Sequence, residues 1–390
     1  MKITFLTGEY PPMQGGIGDH TARLAKYLRP LGVGSSVLIG RRWPGAQTDP
    51  GLPVYANIPA WNWRCWPAVD HFVNHHRPDI LHIQYQAAAF DLGGWVNWLP
   101  WYLRQLRRRP VRVVTTFHDL RVPYIFPKAG PFRWRSMLAL ARYSDGAICT
   151  NREDLHTLQQ ALPGLTAAHV LLGSNADPQS PPDFDRTAWR QRYQAGPKTL
   201  LLAYFGFLNE SKGGEELVEA VALLRGQGLD ARLLFIGGDV GDADPTNAAY
   251  ACRVQTLIEQ RGLAAMVYRT GYTTLAEVSA NLLAADAVVM PYRDGVSFRR
   301  TTLIAALRHG CPVVSTRPAD FAFLPEIRPG ENMLLARPGQ AGSLAETIVP
   351  LAHSAELRLK LAAGARQLGN LFNWEQVAAQ TRDLYQTVLR

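Results

Sequence analysis

Basic residues gathered around a helix start are the part of this sequence whose chemistry is most direct to state. In 286–316, DAVVMPYRDGVSFRRTTLIAALRHGCPVVST, Arg293, Arg299 and Arg300 surround a predicted helix start, where free N–H groups and the helix dipole attract phosphate. The stretch reads as one β-α-β unit. An apolar run at 287–290 suits a parallel strand covered on both faces, and Pro291 closes it. Ser297 is the expected cap of a helix over 298–309, Gly310 ends it, and PVVST is the next strand. The loop therefore follows the carboxyl end of a strand, the end that faces the ligand crevice in open α/β sheets. Two earlier apolar runs also end in polar groups, His82, Gln84 and Tyr85 on one and His118 and Asp119 on the other. His82 falls within its strand and is expected to be a satisfied core histidine.

A sheet has to position these groups. Strand-like runs at 2–7, 33–39, 79–84, 111–117 and 147–150 are separated by a dozen or more helical or loop residues, an alternation that predicts a parallel sheet with crossover helices. Near 171–177 the pattern changes, and SNADPQSPPDFDRTAWRQRY, rich in Pro, Ser and Asp, predicts a linker over 177–195. A second alternation follows, with strands expected at 199–205, 231–237, 267–270, 287–290, 312–316 and within 332–337. A chain of 390 residues suits two domains. They are expected at 1–176 and 196–373, with a helix at 374–390 crossing back to pack on the first. After the first strand, Gly15, Gly16 and Gly18 let the backbone approach a ligand closely, ahead of a helix with Leu24, Tyr27 and Leu28 on one side. The third glycine of a dinucleotide fingerprint is missing.

The stretch 286–316 resembles the donor-binding signature of family-4 retaining glycosyltransferases, in which a glutamate, seven residues and a second glutamate precede Ala-Gly-x-Pro-Val-Val. The loop, helix and PVVST strand fit. The two carboxylates do not: Ser297 stands where the first belongs and Ala305 where the second does, leaving Asp294, three residues upstream, as the candidate substitute. The segment 206–213, GFLNESKG, is similar to the family's Gly-Arg-Leu…Lys-Gly element, in which arginine and lysine clamp the leaving diphosphate. Lys212 matches the lysine; Phe207 replaces the arginine, and the missing cation falls to Arg299 or Arg300. The resemblance covers essentially the whole chain. It implies two Rossmann-like α/β domains facing across a cleft, the B-type glycosyltransferase fold, with His118 and Lys212 in the catalytic region. It further implies Gly15, Gly16, Gly206, Lys212, Tyr272, Asp294, Ser297, Arg299, Arg300 and Thr301 around the donor, with Gly271 and Tyr272 against the nucleobase. Asp19, Gln84 and Tyr85 are the expected acceptor contacts. The implied activity is transfer of a hexose-like sugar from a nucleoside diphosphate sugar to an acceptor hydroxyl with retention, without metal or other cofactor. The acceptor, a sugar, lipid or small molecule, is left open. Two rivals stand beside this reading: a catalytically silent homologue that binds a nucleotide sugar or a partner, and a sugar-nucleotide epimerase or phosphorylase on the same architecture.

Composition narrows the partners. With 41 Lys and Arg against 32 Asp and Glu, a net charge of +9, the chain favours anions. No nucleic-acid motif accompanies that charge, and nucleic acid is not expected as a partner. Of the ten tryptophans, six (Trp61, Trp63, Trp66, Trp95, Trp98 and Trp101) fall within residues 61–101 of the N-terminal half, and WLPWYLRQLRRRP at 98–110 places four arginines beside them. That combination suits an anionic membrane surface or an aromatic acceptor pocket under a basic helix. Cys65, Cys149, Cys252 and Cys311 have no CxxC spacing and are expected as buried free thiols in a reducing, cytoplasmic setting. MKITFLT is read as a first strand, too short for a leader's apolar core.

Overall fold

A computed structural model of the chain describes residues 1–13, 15–43, 45, 51–120, 130–238 and 245–390. It divides into two compact units, Met1–Gly173 with Asn373–Arg390, and Ser174–Phe372. Unit 1 holds seven strands, β1 Lys2–Leu6, β2 Gly34–Gly40, β3 Val54–Ile58, β4 Ile80–Tyr85, β5 Arg112–Phe117, β6 Gly146–Cys149 and β7 Ala167–His169. Unit 2 holds six, β8 Leu200–Phe205, β9 Ala231–Ile236, β10 Val267–Arg269, β11 Ala287–Met290, β12 Val313–Thr316 and β13 Leu334–Ala336. The orders are β3-β2-β1-β4-β5-β6-β7 and β10-β9-β8-β11-β12-β13, with every strand pair parallel. In each unit the chain winds outward from a central strand and then jumps back to its other side. The reversal lies between β1 and β4 in unit 1 and between β8 and β11 in unit 2, where such sheets open a crevice at their carboxyl ends.

Parallel sheets are covered on both faces, and strand alternation decides what each face receives. In unit 1, Leu6, Leu81, Ile83 and Tyr85 pack with Cys65, Phe72 and Phe90. Ile3, Phe5 and Val114 face a second cluster with Leu24, Leu28, Trp374 and Tyr385. The helix Trp374–Leu389 thus returns from the chain's end to roof unit 1, its start capped by the Asn373 side chain, which accepts from the Gln376 N–H at 2.8 Å. Trp374 stacks on Tyr27 of the helix Gly16–Leu28 with ring centroids 6.1 Å apart.

Three expectations need correction. The stretch 177–195 is not a free linker, because it contains the helix Arg186–Gln191, whose Trp189 and Arg190 are buried in unit 2. Arg190 reaches Asp286 at 2.9 Å and the carbonyls of Ala284 and Thr199 at 3.0 and 2.7 Å, while Trp189 donates to Asn281 Oδ1 at 2.7 Å. The second correction concerns Cys252, which is exposed while the other three cysteines are buried. Its neighbours Tyr250 and Val254 take the inward side of the helix Pro245–Gln260, and helical geometry turns position 252 outward. The third is the helix after β11, which runs Thr301–Arg308 with Arg300 at its cap. Ser297 cannot cap it, because its hydroxyl already accepts from the N–H and Nε of Arg299, both at 3.3 Å.

Removing one member of a buried ion pair leaves the other uncompensated, so Arg190→Ala is expected to cost about 3 kcal/mol of stability, read from denaturant unfolding. A loss below about 1 kcal/mol would mean that Arg186, which also meets Asp286 at 2.8 Å, carries that charge unaided.

Candidate functional site

The loops after β8 and β11 touch at a glycine. A Cβ on Gly213 would fall 2.1 Å from the Pro291 carbonyl oxygen, so only glycine lets the two loops meet. The second loop also donates the Arg293 N–H to the Ser211 carbonyl at 2.9 Å. This junction fixes Lys212, whose Nζ donates to the Phe207 carbonyl at 2.7 Å and lies 3.5 Å from where a Cβ on Gly206 would stand. Thr302 Cγ2 approaches the same point within 2.9 Å. Desolvation, followed by the nearby Arg300 guanidinium, pushes the Lys212 amine down to about 8.

Arg300 is braced rather than buried. One of its terminal nitrogens meets both Asp294 oxygens at 2.7 and 2.9 Å and lies 3.4 Å from Ser211 Oγ, and its guanidinium sits 5.0 Å from the Tyr292 ring centroid. Asp294, the candidate substitute for a missing glutamate, is therefore already an arginine's counter-ion. Arg293 leaves the phosphate-binding set: Glu210, Glu215 and Glu216, at 2.8, 3.1 and 2.6 Å, take its guanidinium away from the helix start. Ala305 is buried in the helix. No side chain caps the helix at Thr301, the last predicted member of this group. Tyr272 stands 79 % exposed after Gly271, which bridges to Gly237, itself 3.9 Å from Gly206 by the same Cβ measure. Unit 2 thus brings together Gly206, Lys212, Asp294, Ser297, Arg299, Arg300 and Thr301. Sequence reasoning passed over Ser211, Tyr292 and Thr302, each adjacent to a residue it named.

Unit 1 assembles a different group. Gly15 is required by a neighbour: the Glu9 carboxylate fills the space a Cβ would occupy, 1.9 Å from that point, and accepts from the Ile17 N–H at 3.1 Å. The start of the helix Gly16–Leu28 is therefore met by the chain's own carboxylate, and burial raises Glu9 above the usual carboxylate range. Gly16 has open space around it, and Asp19 is exposed. Gln84 and Tyr85, expected at an acceptor, are fully buried. Tyr85 points into the apolar core on the Leu81 and Ile83 face, beside Asn97. Gln84 points the other way and supports His118, receiving its Nε2 at 2.9 Å on Oε1. The amide nitrogen of Gln84 turns to His82 Nε2 at 3.3 Å, where Thr116 Oγ1 also bonds at 2.7 Å, and His82 Nδ1 meets Tyr385 OH at 2.5 Å.

That chain of partners sets protons. Gln84 Oε1 only accepts, so His118 carries its hydrogen on Nε2 and keeps a lone pair on Nδ1. His82 accepts at Nε2 and therefore donates from Nδ1 to Tyr385. Burial pushes His118 down to about 4, and burial followed by His118 pushes His82 down to about 3. His20, with its ring centroid 4.9 Å from that of His118, lies well below the usual imidazole range for the same reasons. His118 is therefore neutral at physiological pH, equipped to accept a hydroxyl hydrogen rather than to carry a positive charge. Among the described residues, no group of three or more His, Cys, Asp or Glu is placed to hold a metal, and no helix is long and apolar enough to cross a membrane.

Comparison with known proteins gives this geometry a context. A family profile described as "Glycosyl transferase 4-like domain" matches residues 15–175, and one described as "Glycosyl transferases group 1" matches 199–354. D-inositol 3-phosphate glycosyltransferase of Corynebacterium glutamicum is 26% identical over 322 residues, 79% of this chain and 72% of that protein. Among solved structures, sucrose-phosphate synthase from Thermosynechococcus elongatus superposes with a TM-score of 0.78 at 20% identity, covering 99% of this chain and 98% of that one. Anabaena HepE in complex with UDP and glucose gives 0.76 at 19% identity, covering 99% and 100%. At these identities the structural likeness speaks for the fold, two Rossmann-like domains of the B-type arrangement.

Nitrogen-resolved NMR of the imidazoles tests the proton assignment. His118 is expected as the Nε2–H form with no titration above pH ~5, and Gln84→Glu should raise its midpoint by roughly one unit or more, as a carboxylate beside an imidazole does. A midpoint near the ordinary histidine value in the unaltered protein would contradict the assignment.

Proposed function

We propose, on the premise that the chain belongs to the family-4 glycosyltransferases, that it moves a hexose-like sugar from a nucleoside diphosphate sugar to an acceptor hydroxyl, with retention of configuration and without a metal. The observation that carries the proposal is the placing of Lys212 over Gly206 beside Arg300, at the carboxyl ends of β8 and β11. Cleaving a sugar–phosphate bond puts charge on the departing diphosphate, and fixed cations there stabilise the transition state more than the ground state. Arg300 stands in for the arginine that Phe207 replaces, while Phe207 contributes only its carbonyl, as the rest position of the Lys212 amine. Uncapped N–H groups at Thr301 add donors of the same sign.

In this reading the acceptor oxygen attacks the anomeric carbon from the face the diphosphate leaves. The carbon–oxygen bond to phosphate breaks with its electron pair on the phosphate oxygen, and that oxygen takes the acceptor's proton. His118, neutral and with its lone pair on Nδ1, orients a hydroxyl of the sugar or the acceptor. Exposed Tyr272 offers a face for the base. HepE's complex with UDP and glucose is in keeping with such a donor. The acceptor class is a sugar, a lipid or a small hydroxylated molecule, and we read the chain as a cytoplasmic enzyme working against the inner face of a membrane.

A silent nucleotide-sugar binder is the second reading. Buried Ala305 and an engaged Ser297 leave neither position with a carboxylate for sugar or ribose hydroxyls. A panel of UDP, GDP and ADP sugars separates the two, read by nucleoside diphosphate release with sugar and lipid acceptors present. Release from at least one donor supports the enzyme; binding without release across the panel supports the silent homologue.

Lys212→Ala is expected to lower turnover about a hundredfold in a folded protein, as loss of one preorganised charge typically does, and Arg300→Ala to cost more than Arg299→Ala. Because burial brings the Lys212 amine of the ligand-free protein down to about 8, raising pH through that value removes its charge. Calorimetry should show nucleoside diphosphate affinity weakening above it, by at most roughly tenfold per pH unit for one group. Unchanged affinity up to pH ~9.5, or near-normal transfer by Lys212→Ala, would remove Lys212 from the site.

A further inference from the structure

Lys212 rests on a carbonyl that is already in use. At the end of β8 the chain turns at Gly206, whose φ of +111° is a conformation that residues with a side chain rarely adopt. The turn places the Phe207 carbonyl oxygen 3.1 Å from the hydroxyl of Tyr204, three residues back on the strand, and 2.7 Å from Lys212 Nζ. Both groups donate, and a carbonyl oxygen has two lone pairs to receive them. The Tyr204 hydroxyl keeps its hydrogen, because burial, followed by the neighbouring Tyr292 and Tyr250, holds it well above the usual phenol range. Tyr204 is 1 % exposed and packs with Leu208, Leu217 and Phe235. Its two phenol neighbours serve other parts of the same constellation. The Arg300 guanidinium lies 5.0 Å from the Tyr292 ring centroid, and Tyr250 OH accepts the Glu215 N–H at 3.1 Å, in the first turn of the helix Gly214–Gly226.

Two donors are more than the resting carbonyl requires. Lys212 alone would satisfy it, and a tyrosine that served only the core could take any acceptor within reach. The second donor matters when the first one leaves, because an enclosed carbonyl stripped of its partner is expensive. In the reading of Lys212 as a diphosphate contact, on which this inference rests, the amine turns from Phe207 towards the ligand. We propose that Tyr204 is a positioning residue for that step: its hydroxyl keeps the Phe207 carbonyl bonded when Lys212 departs, so that the lysine is released to an anion at little cost. Tyr204 itself touches no substrate. Its effect on the ligand passes entirely through the lysine.

The test is calorimetry of UDP, GDP and ADP on the full chain, comparing the unaltered protein with Tyr204→Phe, Lys212→Ala and the double variant. Tyr204→Phe keeps the ring in its packing and removes only the hydroxyl. It should weaken the best-bound diphosphate about fivefold or more, the low end of what an unmade hydrogen bond costs. Added to Lys212→Ala, the same change should cost less than about twofold, because no amine remains to be released. The pH above which affinity falls should also rise beyond about 8 in Tyr204→Phe, since a carbonyl that serves Lys212 alone favours its charged form. Around this pair stand Arg300, with Asp294 as its counter-ion, and the phenols of Tyr250 and Tyr292, which burial raises, so a shift in that range reports the lysine. Tyr193→Phe, which removes from the same unit a hydroxyl bonded to Asn281, should leave affinity unchanged. A loss below about twofold from Tyr204→Phe while Lys212→Ala weakens binding, equal losses with and without Lys212, or an equal loss from Tyr193→Phe would overturn the proposal and leave the donor site standing. Unchanged affinity in Lys212→Ala would remove the donor-site reading and this inference with it.

Discussion

Two cations held close together are the constraint on which the candidate donor site depends. Lys212 and Arg300 come from different loops, and each would be easier to keep in water at a distance from the other. The fold holds them near by the Gly213–Pro291 contact, by Asp294 against Arg300 and by the Phe207 carbonyl against Lys212. Burial first, and the neighbouring Arg300 second, lower the affinity of Lys212 for its proton. An anionic ligand beside Lys212 would relieve the cost of keeping it charged there, while Arg300 already has Asp294 as its counter-ion. Glu210, Glu215 and Glu216 serve the same end by drawing Arg293 aside and bracing the β11 loop against the helix Gly214–Gly226.

Unit 1 follows a contrasting logic, with neutral partners instead of charges. His118 is held by Gln84, Gln84 by His82, and His82 by Tyr385 on a helix that the chain supplies only at its end. Burial disfavours the charged form of both His118 and His82, so the line keeps its protons in place over the physiological range. The C-terminal helix therefore does more than cover apolar surface: it fixes the orientation of His118, a candidate site residue, through two intermediaries.

The parallel sheets were legible in the sequence because each β-α repeat carries its own apolar run, turn and amphipathic helix. The strands 54–58 and 167–169 were not, since both lie at sheet edges and are only partly buried. Local signals also misled at Ser297, where a good capping residue is consumed by the arginine two positions on. Gln84 and Tyr85 read as ligand contacts because polar residues end a strand there, yet Tyr385, 303 residues away from His82, and Asn97 belong to elements that enclose them. Long-range partners of this kind leave no trace in spacing. The same holds for Arg293, whose glutamates sit in the turn before another helix (Glu210) and in that helix's first turn (Glu215 and Glu216).

If Lys212 and Arg300 form a diphosphate clamp, the phosphates must carry most of a nucleotide's affinity without help from added metal. Calorimetry at neutral pH on chelator-treated protein, comparing UDP, GDP and ADP with their nucleosides, measures that directly. The account predicts at least one diphosphate bound about a hundredfold more tightly than its nucleoside, the size expected of two charge-assisted hydrogen bonds. Equal affinities within each pair, or no binding by any diphosphate, would contradict it.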